Sequence, residues 1–136
     1  MRVITGSARG RRLREPDGMA IRPTTDMVKE ALFNIIQYDV EGRRALDLFA
    51  GTGQLGIEAL SRGAREVVFV DESRAAARLV RENLEHCGFS APVEQADAVG
   101  YLEACGKFDL IFLDPPYDTG LLDAVLAKIP KVDILT

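Results

Sequence analysis

Four residues late in the sequence carry groups that together can hold a planar amine: Asp114-Pro115-Pro116-Tyr117. They follow an apolar run, residues 108–113, that predicts a buried strand. Two consecutive prolines cannot continue a strand ladder, so a rigid loop is expected at that strand's C-terminal end. Asp114 offers a carboxylate acceptor, Pro115 a carbonyl acceptor with no N–H of its own, and Tyr117 a stacking ring. Such a set suits the amine of a nucleobase. Taken alone, the tetrapeptide reads equally well as a strand-ending turn with Tyr117 as packing.

Three further features could share its site. Asp47-Leu48-Phe49-Ala50-Gly51-Thr52-Gly53-Gln54-Leu55-Gly56 has glycines in a GxGxxG pattern, which allows a tight strand-to-helix turn and close approach of backbone to a ligand. That pattern alone is weak. Asp47 sharpens it, because a carboxylate there would repel a pyrophosphate and attract an ammonium or sulfonium cation. The competing role, capping of the turn, carries less weight. Asp71 lies twenty residues after Gly51 and can accept hydrogen bonds from ribose hydroxyls. This marks an adenosine-type ligand without saying which, and an acid favoured by a helix N-terminus is the alternative. Asp97 could meet an adenine amino group, but as an isolated residue it reads more readily as a helix N-cap.

The elements that must position these residues alternate. Residues 2–5 and 11–14 are expected as short strands around Gly6–Gly10. A helix should start at Arg22-Pro23-Thr24-Thr25-Asp26 and end near Tyr38, with Val28, Ala31, Leu32, Ile35 and Ile36 on one face. Strands are expected at 45–49, 66–70, 93–95 and 108–113. Helices are expected at 54–61, 99–104, 121–128 and from a Ser73 cap to Cys87, stopped by Gly88. This order implies a parallel sheet covered on both faces. All four chemical features then fall at C-terminal strand ends, where ligands of open parallel sheets bind. One shared site explains that better than four unrelated turns and caps.

Composition narrows the class. At 136 residues with ordinary apolar content, the chain supports one folded core. No apolar run approaches a membrane span, and the N-terminus has no signal-peptide pattern. Cys87, Cys105 and the single histidine, His86, have no metal-ligand spacing and read as structural, so no metal is expected. A reduced, cytoplasmic setting is expected. Residues 1–29 hold seven Arg or Lys against three acids, whereas the remainder holds ten against eighteen. A basic arm on an acidic body suits a local polyanion contact, although a solvated arginine-rich hairpin is the commoner origin of such a pattern.

The Asp47–Gly56 loop, Asp71, Asp97 and Asp114–Tyr117 together resemble the class I methyltransferases that use S-adenosyl-L-methionine (AdoMet). The last matches the [N/D]PP[Y/F] motif of the branch that methylates exocyclic amines. Residues 2–6, 9–13 and 22–35, with 47–51 and 58–64, resemble the RsmD-type 16S rRNA guanine-N2-methyltransferases. The resemblance covers nearly all of residues 1–118. It implies a Rossmann-like α/β sheet, mostly parallel with helices on both faces, truncated before its last strands. It divides the chain into a basic hairpin and helix extension, 1–40, and an AdoMet-binding core, 41–136. It implies that Asp47, Phe49, Ala50, Gly51 and Gly53 surround the methionine part of AdoMet. Asp71 would bind ribose, and Asp97 and Ala98 the adenine side. Asp114, Pro115, Pro116 and Tyr117 would be catalytic, and Arg9, Arg11, Arg12 and Arg22 would contact rRNA phosphates. The implied partner is 16S rRNA within a small-subunit assembly particle, met by a monomer. The rival within the same chemistry is an adenine-N6 or other nucleobase amino-methyltransferase acting on DNA or RNA. Rivals of other classes are a nicotinamide-dependent oxidoreductase, which leaves Asp47 and Asp114–Tyr117 unexplained, and a non-catalytic rRNA-binding module.

Overall fold

A computed structural model describes residues 1–15, 26–104 and 106–113. Their element order is α1 (Asp26–Ile35), β1 (Arg44–Asp47), α2 (Gln54–Ser61), β2 (Glu66–Asp71), α3 (Arg74–Cys87), β3 (Val93–Gln95), α4 (Ala98–Ala104) and β4 (Leu110–Phe112). The strands form one parallel sheet ordered β3-β2-β1-β4. Arg22, Cys105, Asp114–Tyr117 and the helix expected at 121–128 lie outside the described residues.

Alternation along the central strands builds two cores. Ala45, Val67 and Phe69 join one with Ile57 of α2, Val80 and Leu84 of α3, and Phe33 of α1. Leu46, Val68 and Val70 join the other with Ala98 and Leu102 of α4 and with Phe108. Both faces of β1 and β2 are therefore buried, as near-continuous apolar runs in parallel strands require.

Helix boundaries follow local signals. The Ser73 side chain accepts the Ala76 N–H at 3.2 Å, and Gly88 ends α3 at φ 78°. Two strands are shorter than expected. β1 stops at Asp47 and β4 spans only Leu110–Phe112. At the start of that run, Asp109 pairs with Arg44 twice, donating its N–H to the Arg44 carbonyl at 2.8 Å and accepting the Arg44 N–H at 2.9 Å through Oδ2.

The N-terminal segment is a hairpin with one isolated antiparallel bridge, Arg2 to Arg12, not two full strands. Backbone hydrogen bonds such as Val3 N–H to the Arg11 carbonyl and Leu13 N–H to the Met1 carbonyl join its arms, and others tie it to α2. Ser61 Oγ accepts the Ala8 N–H at 2.9 Å and donates to the Thr5 carbonyl at 2.6 Å. A Cβ on Gly6 would lie 1.8 Å from the Ser61 carbonyl oxygen, so only glycine permits this contact.

Helix α1 turns inward a face shifted from the one its apolar pattern suggests: Leu32 and Ile36 pack against the core, but Val28, Ala31 and Ile35 do not. Lys29 and Phe33 are buried, whereas Val28 is 56% and Ile35 80% exposed. The reason is a buried charge cluster. Lys29 Nζ donates to the Arg2 carbonyl at 2.5 Å and lies 3.7 Å from Glu58 Oε1. The Glu58 carboxylate also accepts the Ile4 and Thr5 N–H groups at 2.8 and 3.1 Å and Arg62 Nε at 2.8 Å. Burial pulls the Lys29 amine below its ordinary value, with Glu58 and Asp26 opposing the shift. Satisfied in this way, the cluster locks the hairpin, α1 and α2 together.

Candidate AdoMet-binding cleft

A cleft of about 360 Å³ opens at the C-terminal edge of the sheet. Its walls come from the ends of β1 and β2 and from the start of α4. Leu48, Val70 and Ala98 give apolar surface, Phe49 a ring, and Asp71 and Asp97 carboxylates. An apolar slot with a few acceptors at its rim fits a nucleoside: the slot takes the base, and a carboxylate takes the sugar hydroxyls.

Asp71 ends β2 and clamps two loops. Its Oδ2 accepts the Gly51 N–H at 3.0 Å and its Oδ1 the Ser73 N–H at 2.9 Å. A carboxylate has about four lone-pair sites, so both oxygens keep capacity for a ligand's hydroxyls. The loop after β1 is thereby fixed relative to β2 before any ligand arrives.

The glycines of that loop do different work. Gly53 is the N-cap of α2 at φ 83°, a left-handed conformation, and has no side chain to cap the helix. Gly56 allows α2 to press on the sheet: a Cβ there would sit 2.3 Å from the Phe69 ring. Asp47 supplies the cap that Gly53 lacks, because its Oδ2 accepts the Gly56 N–H at 3.0 Å. Asp47 is 2% exposed and stands behind the loop, outside the residues that line the cleft. The capping role, given less weight on sequence grounds, is thus present in the structure. Ala50 is also buried, with its N–H donated to the Val70 carbonyl at 3.0 Å.

Four of the expected cofactor residues, Phe49, Asp71, Asp97 and Ala98, thus meet on one cleft. Asp97 also caps α4, its Oδ2 accepting the Gly100 N–H at 2.9 Å, so the helix-cap reading of this residue is realised at the cleft's edge. Gly51 lines an adjoining hollow of about 1000 Å³ together with Arg14, Ser73 and Arg78. Arg9, Arg11 and Arg12 are exposed on the hairpin. Burial raises the Cys87 thiol, which fits a structural role. Among the described residues there is no cluster that could hold a metal, and no helix is long and apolar enough to cross a membrane.

Sequence reasoning passed over Asn83. Its amide nitrogen donates to the Thr52 carbonyl at 2.8 Å and the Arg14 carbonyl at 3.1 Å, and its oxygen accepts the Arg14 N–H at 2.7 Å. The available signal was an asparagine on the buried Ala76-Val80-Leu84 face of α3.

Parallel strands in this order, with a glycine loop and a carboxylate-rimmed cleft at the strand ends, are the arrangement of the class I methyltransferases that use AdoMet. Comparison with known proteins makes the assignment narrower. A family model described as Conserved hypothetical protein 95 matches residues 1–136. A Bacillus subtilis protein named as an rRNA methyltransferase, YlbH, is 47% identical over 99% of this chain and 77% of its own length. Ribosomal RNA small subunit methyltransferase D of Escherichia coli is 38% identical over 93% of this chain; the match spans 65% of that protein. The solved Escherichia coli protein yhhF, described as a methyltransferase, superimposes with a TM-score of 0.89 at 34% identity, covering 100% of this chain and 75% of its own. The 16S rRNA N2 methyltransferase RsmC of Thermus thermophilus, solved with AdoMet and guanosine, gives a TM-score of 0.66 at 27% identity over 85% of this chain and 32% of its own. The chain belongs to the RsmD family of rRNA methyltransferases.

Proposed function

We propose that this chain carries the catalytic core for methyl transfer from AdoMet to the N2 amine of a guanine in 16S rRNA. The observation that carries this reading is the Asp71 clamp: one carboxylate fixes the glycine loop and faces the same cleft as Phe49, Asp97 and Ala98. Relatives named for small-subunit rRNA support the substrate, and a neighbour solved with AdoMet and guanosine supports both ligands.

Asp71 holds the ribose hydroxyls, and Asp97 with Ala98 borders the base. Phe49 and the backbone of Ala50, Gly51 and Gly53 border the methionine part. Asp47 acts on that part through the loop it caps. Bound AdoMet supplies an electrophilic methyl on a sulfonium.

The chain's remaining task is to aim a weak nucleophile. An aryl amine's lone pair is delocalised into its ring. Asp114 and the Pro115 carbonyl accept the amine's two N–H bonds, leaving its lone pair directed at the methyl. Pro116 stiffens the loop and Tyr117 stacks on the base. Positioning of this kind can supply about 7–11 kcal/mol of barrier reduction. A nearby carboxylate also stabilises the positive charge that develops on the amine, which then loses one proton to Asp114 or to water. The base reaches the site by leaving its stack. β4 ends at Phe112, which pairs with Asp47 of β1 at the start of the glycine loop.

Arg9, Arg11, Arg12 and Arg22 contact RNA phosphates, and the protein acts as a cytoplasmic monomer on a small-subunit assembly particle. The test uses labelled AdoMet with unmethylated 16S rRNA, unmethylated small subunits and duplex DNA. Label in the rRNA or subunits supports the proposal. Label in DNA alone would favour the general nucleobase amino-methyltransferase.

A further inference from the structure

Asn83 joins two parts of the molecule that the proposed reaction uses separately. Its side chain is 1% exposed, and both of its amide hydrogens are committed. One goes to Thr52, the residue between Gly51 and Gly53 of the cofactor loop. The other goes to Arg14, whose N–H returns a bond to the Asn83 oxygen. Thr52 is 31 positions away in sequence and Arg14 is 69, so no local element holds them in register.

Arg14 continues the basic hairpin. Its side chain is 74% exposed, and it lines the same hollow as Gly51 and Ser73. Gly51 in turn donates its N–H to Asp71 on the cleft. A buried amide with both donors spent cannot follow one partner without loading the other. Movement of the hairpin on RNA would therefore reach the Thr52 carbonyl directly. Ordering of the cofactor loop would reach Arg14 by the same bonds.

We infer that Asn83 is a positioning residue that couples the two sites, so that RNA on the hairpin and cofactor in the cleft strengthen each other's binding. This rests on the function proposed above. Coupling between sites is reciprocal and commonly amounts to roughly 5- to 150-fold in affinity. The lower end suits a link made through three hydrogen bonds.

The test measures S-adenosylhomocysteine affinity with and without saturating unmethylated small subunits, using the full chain. The wild type should bind S-adenosylhomocysteine about fivefold more tightly with subunits present. Asn83→Ala should bring the ratio to about one, and Asn83→Ser, which keeps a small polar group in the pocket, is read in its place should Asn83→Ala fail to fold. Leu84→Ala is the stability control. Leu84 is buried on the same helix and has no bond to either partner, so this variant should lower the melting temperature and keep the ratio. A folded Asn83 variant with the wild-type ratio would overturn the inference, as would equal loss of the ratio in Leu84→Ala. A wild-type ratio of one with subunits bound would sink the coupling alone. No binding of subunits by the wild type would remove the proposed function as well.

Discussion

Replacing Asp71 by asparagine separates the two tasks assigned to its carboxylate. The native side chain accepts two backbone N–H groups, from Gly51 at 3.0 Å and Ser73 at 2.9 Å. Asparagine keeps one acceptor oxygen and presents an NH₂ to the other donor. One charge-assisted bond is lost, worth about 1.5–3 kcal/mol, and the charge toward the ribose hydroxyls goes with it. Since each 1.4 kcal/mol is tenfold in affinity, S-adenosylhomocysteine should bind about 10- to 100-fold more weakly. The assay is calorimetry, with a thermal melt on the same samples. Asp97→Asn is the internal comparison. Its bond to the Gly100 N–H survives in the amide, because asparagine caps helices about as well as aspartate, so affinity should change by less than about threefold. A well-folded Asp71→Asn protein with wild-type affinity would refute the clamp.

Three other perturbations follow from the geometry. Gly56→Ala forces a methyl to within 2.3 Å of the Phe69 ring and 2.9 Å of Val67, and should cost about 1–3 kcal/mol in denaturant unfolding. Lys29→Met removes one partner from the buried cluster and should destabilise by about 3 kcal/mol at neutral pH. Because burial lowers the folded-state value of Lys29 below 10.5, the unfolded chain binds more protons between those two values. Wild-type stability relative to Lys29→Met should therefore rise with pH across that window, and a fall in paired melts would contradict the assignment. Asp114→Ala should abolish methyl transfer while leaving S-adenosylhomocysteine affinity within about threefold, as filter and calorimetric assays would show.

Local chemistry made part of this architecture legible. Ser73 and Gly88 bracket α3 where a cap and a C-terminal glycine predict, and β2 runs to Asp71 through an unbroken apolar stretch. The positions of Asp71 and Asp97 on one edge followed from strand order, whereas Phe49 and Ala98 beside them came from the family resemblance. Features set by distant partners were less legible. A lysine on an apolar helix reads as a surface residue, and besides the local Asp26 its burial is offset by the Arg2 carbonyl and Glu58, from 27 and 29 positions away. Asp47 read as a ligand for a cation or, with less weight, as a cap of the turn, and its bond to the Gly56 N–H realises the cap. The hairpin has one bridge, and the backbone of Ile4, Thr5 and Ala8 is satisfied by Glu58 and Ser61, partners set by the tertiary fold.

The most direct measurement is the identity of the methylated nucleoside. Unmethylated small subunits treated with the protein and labelled AdoMet would be digested to nucleosides and resolved by mass spectrometry. N2-methylguanosine from 16S rRNA, absent with Asp114→Ala, is the predicted product. N6-methyladenosine in its place, or N2-methylguanosine formed undiminished by Asp114→Ala, would contradict the account.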